Sequence, residues 1–284
     1  MNSGIARNGD VEIAYEDFGT PGGKPLLLIS GLDEQMVSSW PDGFCRALAD
    51  AGLHVVRYDN RDSGLSTHFT GRKQAYAEAD MVEDMMAVLD ALGWDTANLV
   101  GLSMGGGLAQ YAAMWHPERI RTLAAISSIP QDGDLARLML RYMRLFPGPF
   151  KLAFRRYGQS PEEQQRMLRD VLHLTEAKSL PLEQDWVREA AAESFRRHRP
   201  DRHARTRQIA AGRGVRRPPG GISRITAPVL VLSGDEDPLV KPTAGPKLAE
   251  IVANGRFVSI PRMGHKFAAP LWPRLVAEIV RHVV

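Results

Sequence analysis

Four continuous apolar runs decide what this 284-residue chain can fold into. They are Leu26-Leu27-Leu28-Ile29, Ala97-Asn98-Leu99-Val100-Gly101-Leu102, Leu123-Ala124-Ala125-Ile126 and Pro228-Val229-Leu230-Val231-Leu232. Runs of this length, apolar at nearly every position, suit strands covered on both faces. Helical periodicity fills the spaces between them. The pattern predicts helices over Pro41 to Ala51 (closed by Gly52), about Tyr76 to Leu92 (ending at Gly93), Ser103 to about Trp115, Lys241 to Val252 and Leu271 to Val284. Further strands are predicted at Val11 to Phe18, where apolar and polar residues alternate, at His54 to Tyr58 and at Phe257 to Ile260. Strand and helix in alternation predict an α/β fold, with a mostly parallel central sheet and helices on both faces.

The alternation breaks in the middle of the chain. From about Gln131 to Gly221 the spacing is helical and no strand is evident, with helices predicted at Leu135 to Leu145, Pro161 to Leu174 and Glu183 to Arg196. Pro218-Pro219-Gly220-Gly221 marks the exit, after which strands and helices resume. The expected organisation is a core of residues 1–130 and 222–284, with a helical cap, residues 131–221, inserted as a lid.

Composition narrows the function classes. A single cysteine, Cys45, excludes an intramolecular disulfide framework and a thiolate metal cluster, and it reads as a packing residue of a helix. No apolar stretch is long enough to span a bilayer, and the first residues lack the apolar core of a secretion signal. A cytoplasmic protein without membrane association is expected. The net charge is only +3. One dense run of arginines, Arg196, Arg197, Arg199, Arg202, Arg205, Arg207, Arg213, Arg216 and Arg217, raises the question of a nucleic-acid surface. It lacks interleaved aromatic residues and any nucleic-acid motif, so it reads as a solvated helix face plus linker, and no nucleic-acid partner is expected.

The chemistry is carried by Gly101-Leu102-Ser103-Met104-Gly105, followed by Gly106 and Gly107. This is G-x-S-x-G between a predicted strand and a predicted helix. A serine on such a sharp turn is strained, needs small neighbours two positions away, and projects its hydroxyl above the sheet edge at a helix N-terminus. A serine hydroxyl requires a base. Of the eight histidines, His265 lies in Met263-Gly264-His265-Lys266, after the last predicted strand, on the edge where parallel sheets bind ligands. An orienting carboxylate is available in Ser233-Gly234-Asp235-Glu236-Asp237-Pro238 on the same edge, with Asp237 preferred over Asp235; Asp132 and Asp134 are less well placed. The order Ser103, Asp237, His265 is nucleophile, acid, base. No metal-ligand spacing or phosphate-cradling loop occurs, and no cofactor is expected.

With these residues in hand, the chain resembles the α/β-hydrolase superfamily over nearly its whole length. Tyr58-Asp59-Asn60-Arg61-Asp62-Ser63-Gly64-Leu65-Ser66 is similar to that family's D-x-R-G-x-G-x-S loop, with Asp62 in place of the usual glycine. Ser30-Gly31-Leu32 occupies the H-G-x position without its histidine. Together with Phe18-Gly19, Trp40-Pro41, Gly52-Leu53-His54-Val55 and Arg57-Tyr58-Asp59, these departures resemble the aclacinomycin methylesterase group, whose members trim anthracycline-type polyketides. The resemblance implies an oxyanion hole made by the backbone N–H groups of Leu32 and Met104. It implies a serine esterase acting on a bulky apolar small molecule, a polyketide methyl ester being the most concrete case. Met139, Met143 and Phe146 belong to an apolar cluster in the cap, with Leu145, Phe150 and Phe154, and are candidate substrate contacts. The same triad also serves cofactor-free perhydrolases of the haloperoxidase type and C–C hydrolases, and the fold can host a non-hydrolytic tailoring or ligand-binding protein. A monomer or homodimer is expected.

Overall fold

The computed structural model describes residues 2–132 and 157–283, apart from 20, 72, 74, 159, 199, 200, 202, 214 and 216. Eight strands, β1 (Asn2–Asn8), β2 (Val11–Asp17), β3 (Lys24–Ile29), β4 (Leu53–Tyr58), β5 (Ala97–Leu102), β6 (Ile120–Ile126), β7 (Val229–Gly234) and β8 (Gly255–Ile260), form one sheet in the order β1-β2-β4-β3-β5-β6-β7-β8. β1 and β2 form an antiparallel hairpin, and β2 pairs antiparallel to β4. From β4 to β8 every pairing is parallel. The helices are α1 (Met36–Ser39), α2 (Asp42–Asp50), α3 (Glu78–Ala91), α4 (Met104–Trp115), α5 (Pro161–His173), α6 (Gln184–Arg197), α7 (Ala204–Ala211), α8 (Ala244–Ile251) and α9 (Trp272–His282). None is long and apolar enough to cross a membrane.

Alternate side chains of each strand serve opposite faces. Leu27, Ile29, Val56, Leu99, Leu123 and Val229 pack with Met81, Val82, Met85 and Leu89 of α3 and with Leu108 and Ala112 of α4. Leu26, Leu28, Val55, Val100, Ala124 and Leu230 pack on the other face with Phe44 and Leu48 of α2 and with Leu275 and Ile279 of α9. The continuous apolar runs follow directly, since each of these side chains gains about 1.5–3 kcal/mol on burial. The chain moves from β3 outward to β4 and then back across β3 to β5, so its winding direction reverses between β3 and β5. In an open parallel sheet that reversal opens a crevice at the carboxyl ends of the two strands. The loops that begin at Ser30 and Ser103 flank it.

Between β6 and β7 the described residues hold α5, α6 and α7 and no strand. The predicted helices over Pro161 to Leu174 and Glu183 to Arg196 agree with α5 and α6 within a residue, whereas the one over Leu135 to Leu145 lies outside the described residues. Strand β1 and helices α1 and α7 are additions to the sequence reading. The turn joining β1 to β2 is only Gly9-Asp10, with Gly9 at φ 59°.

The arginine run needs correction. It is not wholly a solvated face, because two of its members are drawn into buried ion pairs. Arg207 of α7 is 0 % exposed and grips Asp62, also 0 % exposed, through Nε at 2.8 Å and Nη2 at 2.7 Å. Asp201 is a second partner at 2.6 Å. Arg197, at the end of α6, donates to Glu16 of β2 at 2.9 Å and to Asp59, just past β4, at 2.8 Å. Asp62 has φ 65°, a conformation that favours the glycine usual at this position of the loop. Its carboxylate offsets the strain by accepting from Arg207, from the Tyr76 hydroxyl at 2.7 Å and from Phe69 N–H at 2.8 Å.

Removing one partner of such a pair leaves a lone buried charge, at a cost of about 3–5 kcal/mol. Arg207→Ala is therefore expected to lower Tm by roughly 10 °C in scanning calorimetry. Asp62→Gly/Arg207→Leu, which removes both charges, is expected to recover most of the loss. An unchanged Tm in Arg207→Ala would contradict the assignment.

Candidate active site

Ser103 stands where β5 turns into α4, at φ 54° and ψ −116°. This is a left-handed backbone for a residue with a side chain, and it is tolerated only where the surroundings fix it. The surroundings are unusually close. A Cβ on Gly101 would lie 2.3 Å from the Gly105 backbone, and one on Gly105 would lie 2.2 Å from the Ile29 carbonyl oxygen of β3. Only glycine fits at these two places, which explains both glycines of the motif. The turn is held by Ser103 N–H donating to the Ile126 carbonyl at 2.8 Å, and by the Ser128 hydroxyl and Gly106 N–H donating to the Ser103 carbonyl at 2.9 and 3.0 Å.

Met104 is the first residue of α4, so its N–H belongs to the free donors of a helix start. Leu32 follows β3, the strand paired to β5 with Ile29 opposite Gly101. A Cβ on Gly31 would lie 3.5 Å from the Leu102 carbonyl oxygen, an ordinary contact distance. The two amide groups expected to face an oxyanion thus follow the ends of two neighbouring strands, one in the loop after β3 and one at the start of α4.

Asp237 follows β7 and His265 follows β8. They meet directly: His265 Nδ1 lies 3.0 Å from Asp237 Oδ2 and 3.2 Å from Oδ1, with both side chains buried. Asp237 Oδ1 also accepts from the N–H groups of Leu239 at 2.7 Å and Val240 at 2.8 Å. Burial by itself would push this carboxyl up. The charge and hydrogen bond of His265 and the two backbone donors outweigh it, and the pKa is held below the ordinary 3.8. With Nδ1 turned to Asp237, Nε2 is the ring nitrogen left for proton transfer. No hydrogen bond joins His265 to the Ser103 hydroxyl among the described residues.

The competing carboxylates have other tasks. Asp235 accepts from Arg262 N–H at 2.7 Å and so fixes the turn after β8. Glu236 binds Ser179. Asp132 pairs with Lys247 at 2.7 Å, and Asp134 lies outside the described residues, as do Met139, Met143 and Phe146. Among the described residues no cluster of three or more His, Cys, Asp or Glu could hold a metal ion. Sequence reading did not find Gln208, Glu34 or Lys266, whose polar groups tie down the loops carrying Leu32 and His265. Their partners lie far away along the chain, so no local spacing announces them.

Known proteins can now be set beside this geometry. The family described as alpha/beta hydrolase fold matches residues 24–268. The chain is 30% identical to rhodomycin D methylesterase DauP of Streptomyces sp. (strain C5), over 96% of this chain and 95% of that protein. It is 30% identical to rhodomycin D methylesterase DnrP of Streptomyces peucetius, over 99% of this chain and 98% of that protein. Among solved structures, a hydrolase from Pseudomonas aeruginosa PA01 superimposes with a TM-score of 0.74 at 24% identity, covering 98% of this chain and 97% of that one, a likeness of fold alone.

A carboxyl whose pKa is lower folded than unfolded adds stability above the unfolded value, and that stability is lost as pH falls through the folded value. For Asp237 the loss lies below about pH 3.8. Urea titrations at a series of acid pH values are expected to show a steeper fall for the parent than for Asp237→Asn. Parallel curves would argue against the pairing.

Proposed function

Because this chain belongs to the alpha/beta hydrolase fold family, we propose that it is a serine hydrolase of carboxylic esters, with Ser103 as nucleophile, His265 as base and Asp237 orienting the imidazole. The observation that carries this reading is the strained Ser103 backbone at a crowded strand-to-helix turn. A glycine-rich turn with an ordinary capping serine has no need of that conformation. The Asp237–His265 contact on the same rim supplies the second half of the argument.

In the reaction His265 Nε2 takes the Ser103 proton as Oγ attacks the ester carbonyl. Negative charge collects on the former carbonyl oxygen, where the N–H groups of Leu32 and Met104 receive it. Fixed donors of this kind contribute about 3–4 kcal/mol each to the transition state. The imidazolium, stabilised by Asp237, gives its proton to the departing alcohol oxygen and leaves an acyl-serine. Water then repeats the attack with His265 as base, and the carboxylic acid departs. In sites of this kind the hydroxyl–imidazole hydrogen bond commonly tightens only in the complex with substrate.

The substrate is a bulky, largely apolar small molecule, most concretely the methyl ester of a polyketide. The two full-length relatives named as rhodomycin D methylesterases support this class, and so do the apolar side chains of Leu32 and Met104. In this reading residues 131–221 form the cap over the crevice, and Met139, Met143 and Phe146 meet the apolar part of the substrate.

Ser103→Ala is expected to cut turnover of an aryl ester by at least about 10⁴-fold while leaving cooperative unfolding intact. A fluorophosphonate is expected to add to the parent at Ser103, read by peptide mass spectrometry. Retained turnover in the variant, or an adduct elsewhere, would refute the assignment.

A further inference from the structure

The segment after Leu32 is held residue by residue from outside. Asp33, itself at φ 60°, donates its N–H to Gln208 Oε1 of α7 at 2.7 Å. Glu34 binds Lys266 Nζ at 3.0 Å and accepts from the Ser39 hydroxyl at 2.5 Å. The Gln35 side-chain amide donates to the Ser194 carbonyl of α6 at 2.8 Å, and Met36 N–H donates to Asp59 at 2.8 Å. Four of these five ties use a neutral donor or a neutral acceptor. The fifth, Glu34 with Lys266, is an ion pair withdrawn from water, with the two side chains 13 % and 3 % exposed.

Lys266 is the residue next to His265, and Glu34 lies two residues after Leu32. Lys266 is held further by Nζ donating to the Ser38 carbonyl at 2.9 Å and by its N–H donating to the Thr175 carbonyl at 3.0 Å. Glu34 Oε2 lies 3.0 Å from where a Cβ on Gly31 would stand, so the carboxylate occupies the space beside that glycine. The strands bearing these loops do not touch. β3 and β8 are separated in the sheet by β5, β6 and β7. No direct strand pairing joins the Leu32 loop to the His265 loop, so side chains that reach between them, the Glu34–Lys266 pair and Phe267 packed on Trp40 and Phe44, add to what the intervening strands fix.

A buried ion pair is an inefficient source of stability, because desolvation of both charges offsets most of their attraction, and an apolar pair of similar volume would hold the loops together as well. What the ion pair adds is direction and a fixed length. We infer that Glu34 and Lys266 are positioning residues that clamp the loop carrying Leu32 to the loop carrying His265 across the crevice. The inference rests on the proposed roles of Ser103, His265 and Leu32. During reaction the imidazole becomes positive and the ester oxygen negative, and the clamp keeps the groups that meet these charges at their working separation. Neither residue touches the reacting atoms.

The test uses the full-length protein and an aryl acetate. Glu34→Gln and Lys266→Met each leave a lone buried charge and are expected to lower both Tm and kcat. The double variant removes both charges and is expected to regain most of the Tm. Its kcat is expected to stay about 10-fold or more below the parent, with KM within about twofold, the signature of an interaction used in the transition state. Glu34→Asp keeps both charges and shortens the reach by one methylene. It is expected to give the same split of kcat from KM at near-parental Tm, and it carries the test if the double variant fails to fold. Parental kcat in the double variant or in Glu34→Asp would overturn the positioning role. Ser103→Ala run alongside separates the two levels of inference. If it stays active, the nucleophile is wrong; if it is inactive while the clamp variants turn over normally, only the clamp is wrong.

Discussion

The close approach of β5 and α4 around Ser103 is the constraint on which the rest of the site depends. Glycine at positions 101 and 105 lets strand and helix meet at a separation no side chain would permit, and the Ser103 backbone takes up the resulting strain. The same contact reaches beyond the turn. Gly105 lies against the Ile29 carbonyl, at the end of the neighbouring strand β3. The start of α4 and the loop after β3 are thereby placed together, by steric contact at the level of backbone atoms. Sterics of this kind are insensitive to salt and nearly so to pH. Ser103 and the Leu32 loop, the proposed nucleophile and oxyanion loop, are thus placed by the least adjustable means available.

The helices between β6 and β7 are secured differently. Among the described residues their own apolar cluster is built around Leu172, Leu182, Val187 and Ala190, with Ala268 from beyond β8. Buried arginines fix where they sit. Glu16 accepts from Arg57 of β4 and from Arg197 of α6, and Asp59 binds Arg197 while also receiving Met36 N–H. Gln208 reaches the Arg61 carbonyl at 3.1 Å and the Ser63 hydroxyl at 3.2 Å with the same side-chain amide that binds Asp33 N–H through its oxygen. Members of such a network are coupled, since each depends on its neighbours for charge compensation. The energetic gain is modest after desolvation. The geometric gain is a single docking arrangement for α6 and α7 over the loops that carry Asp59 and Leu32.

These two kinds of constraint explain what was legible in the sequence. Strands β3, β5, β6 and β7 were readable because burial on both faces writes a continuous apolar run. The turn at Ser103 was readable because close backbone approach demands glycine at fixed offsets. β1 escaped because the hairpin edge is mostly exposed and its alternation is weak, although Gly9-Asp10 carried a turn signal. α7 escaped for a subtler reason. Its buried positions are Ala204, Arg207, Gln208, Ala210 and Ala211, two polar residues and three small alanines, so the period was present but the hydrophobic marker was weak. Choosing Asp237 from three neighbouring carboxylates rested on location along the chain. In the fold the three separate by contact: one meets His265, one holds a turn and one reaches the surface at Ser179.

Asp62 connects the two modes of construction. Where related loops have glycine, this chain places an acid in a left-handed conformation. That exchange is tolerable only because Arg207 and Tyr76 are both there to receive it. A loop that glycine would leave free to adjust is instead committed to one conformation and tied to a particular helix of the segment above it. The consequence runs in both directions. The loop after β4 cannot move without breaking its grip on α7, and α7 cannot lift without releasing Asp33 N–H beside Leu32. The loop after β4, helix α7 and the segment that follows Leu32 are therefore held to one another by two adjacent side chains, Arg207 and Gln208.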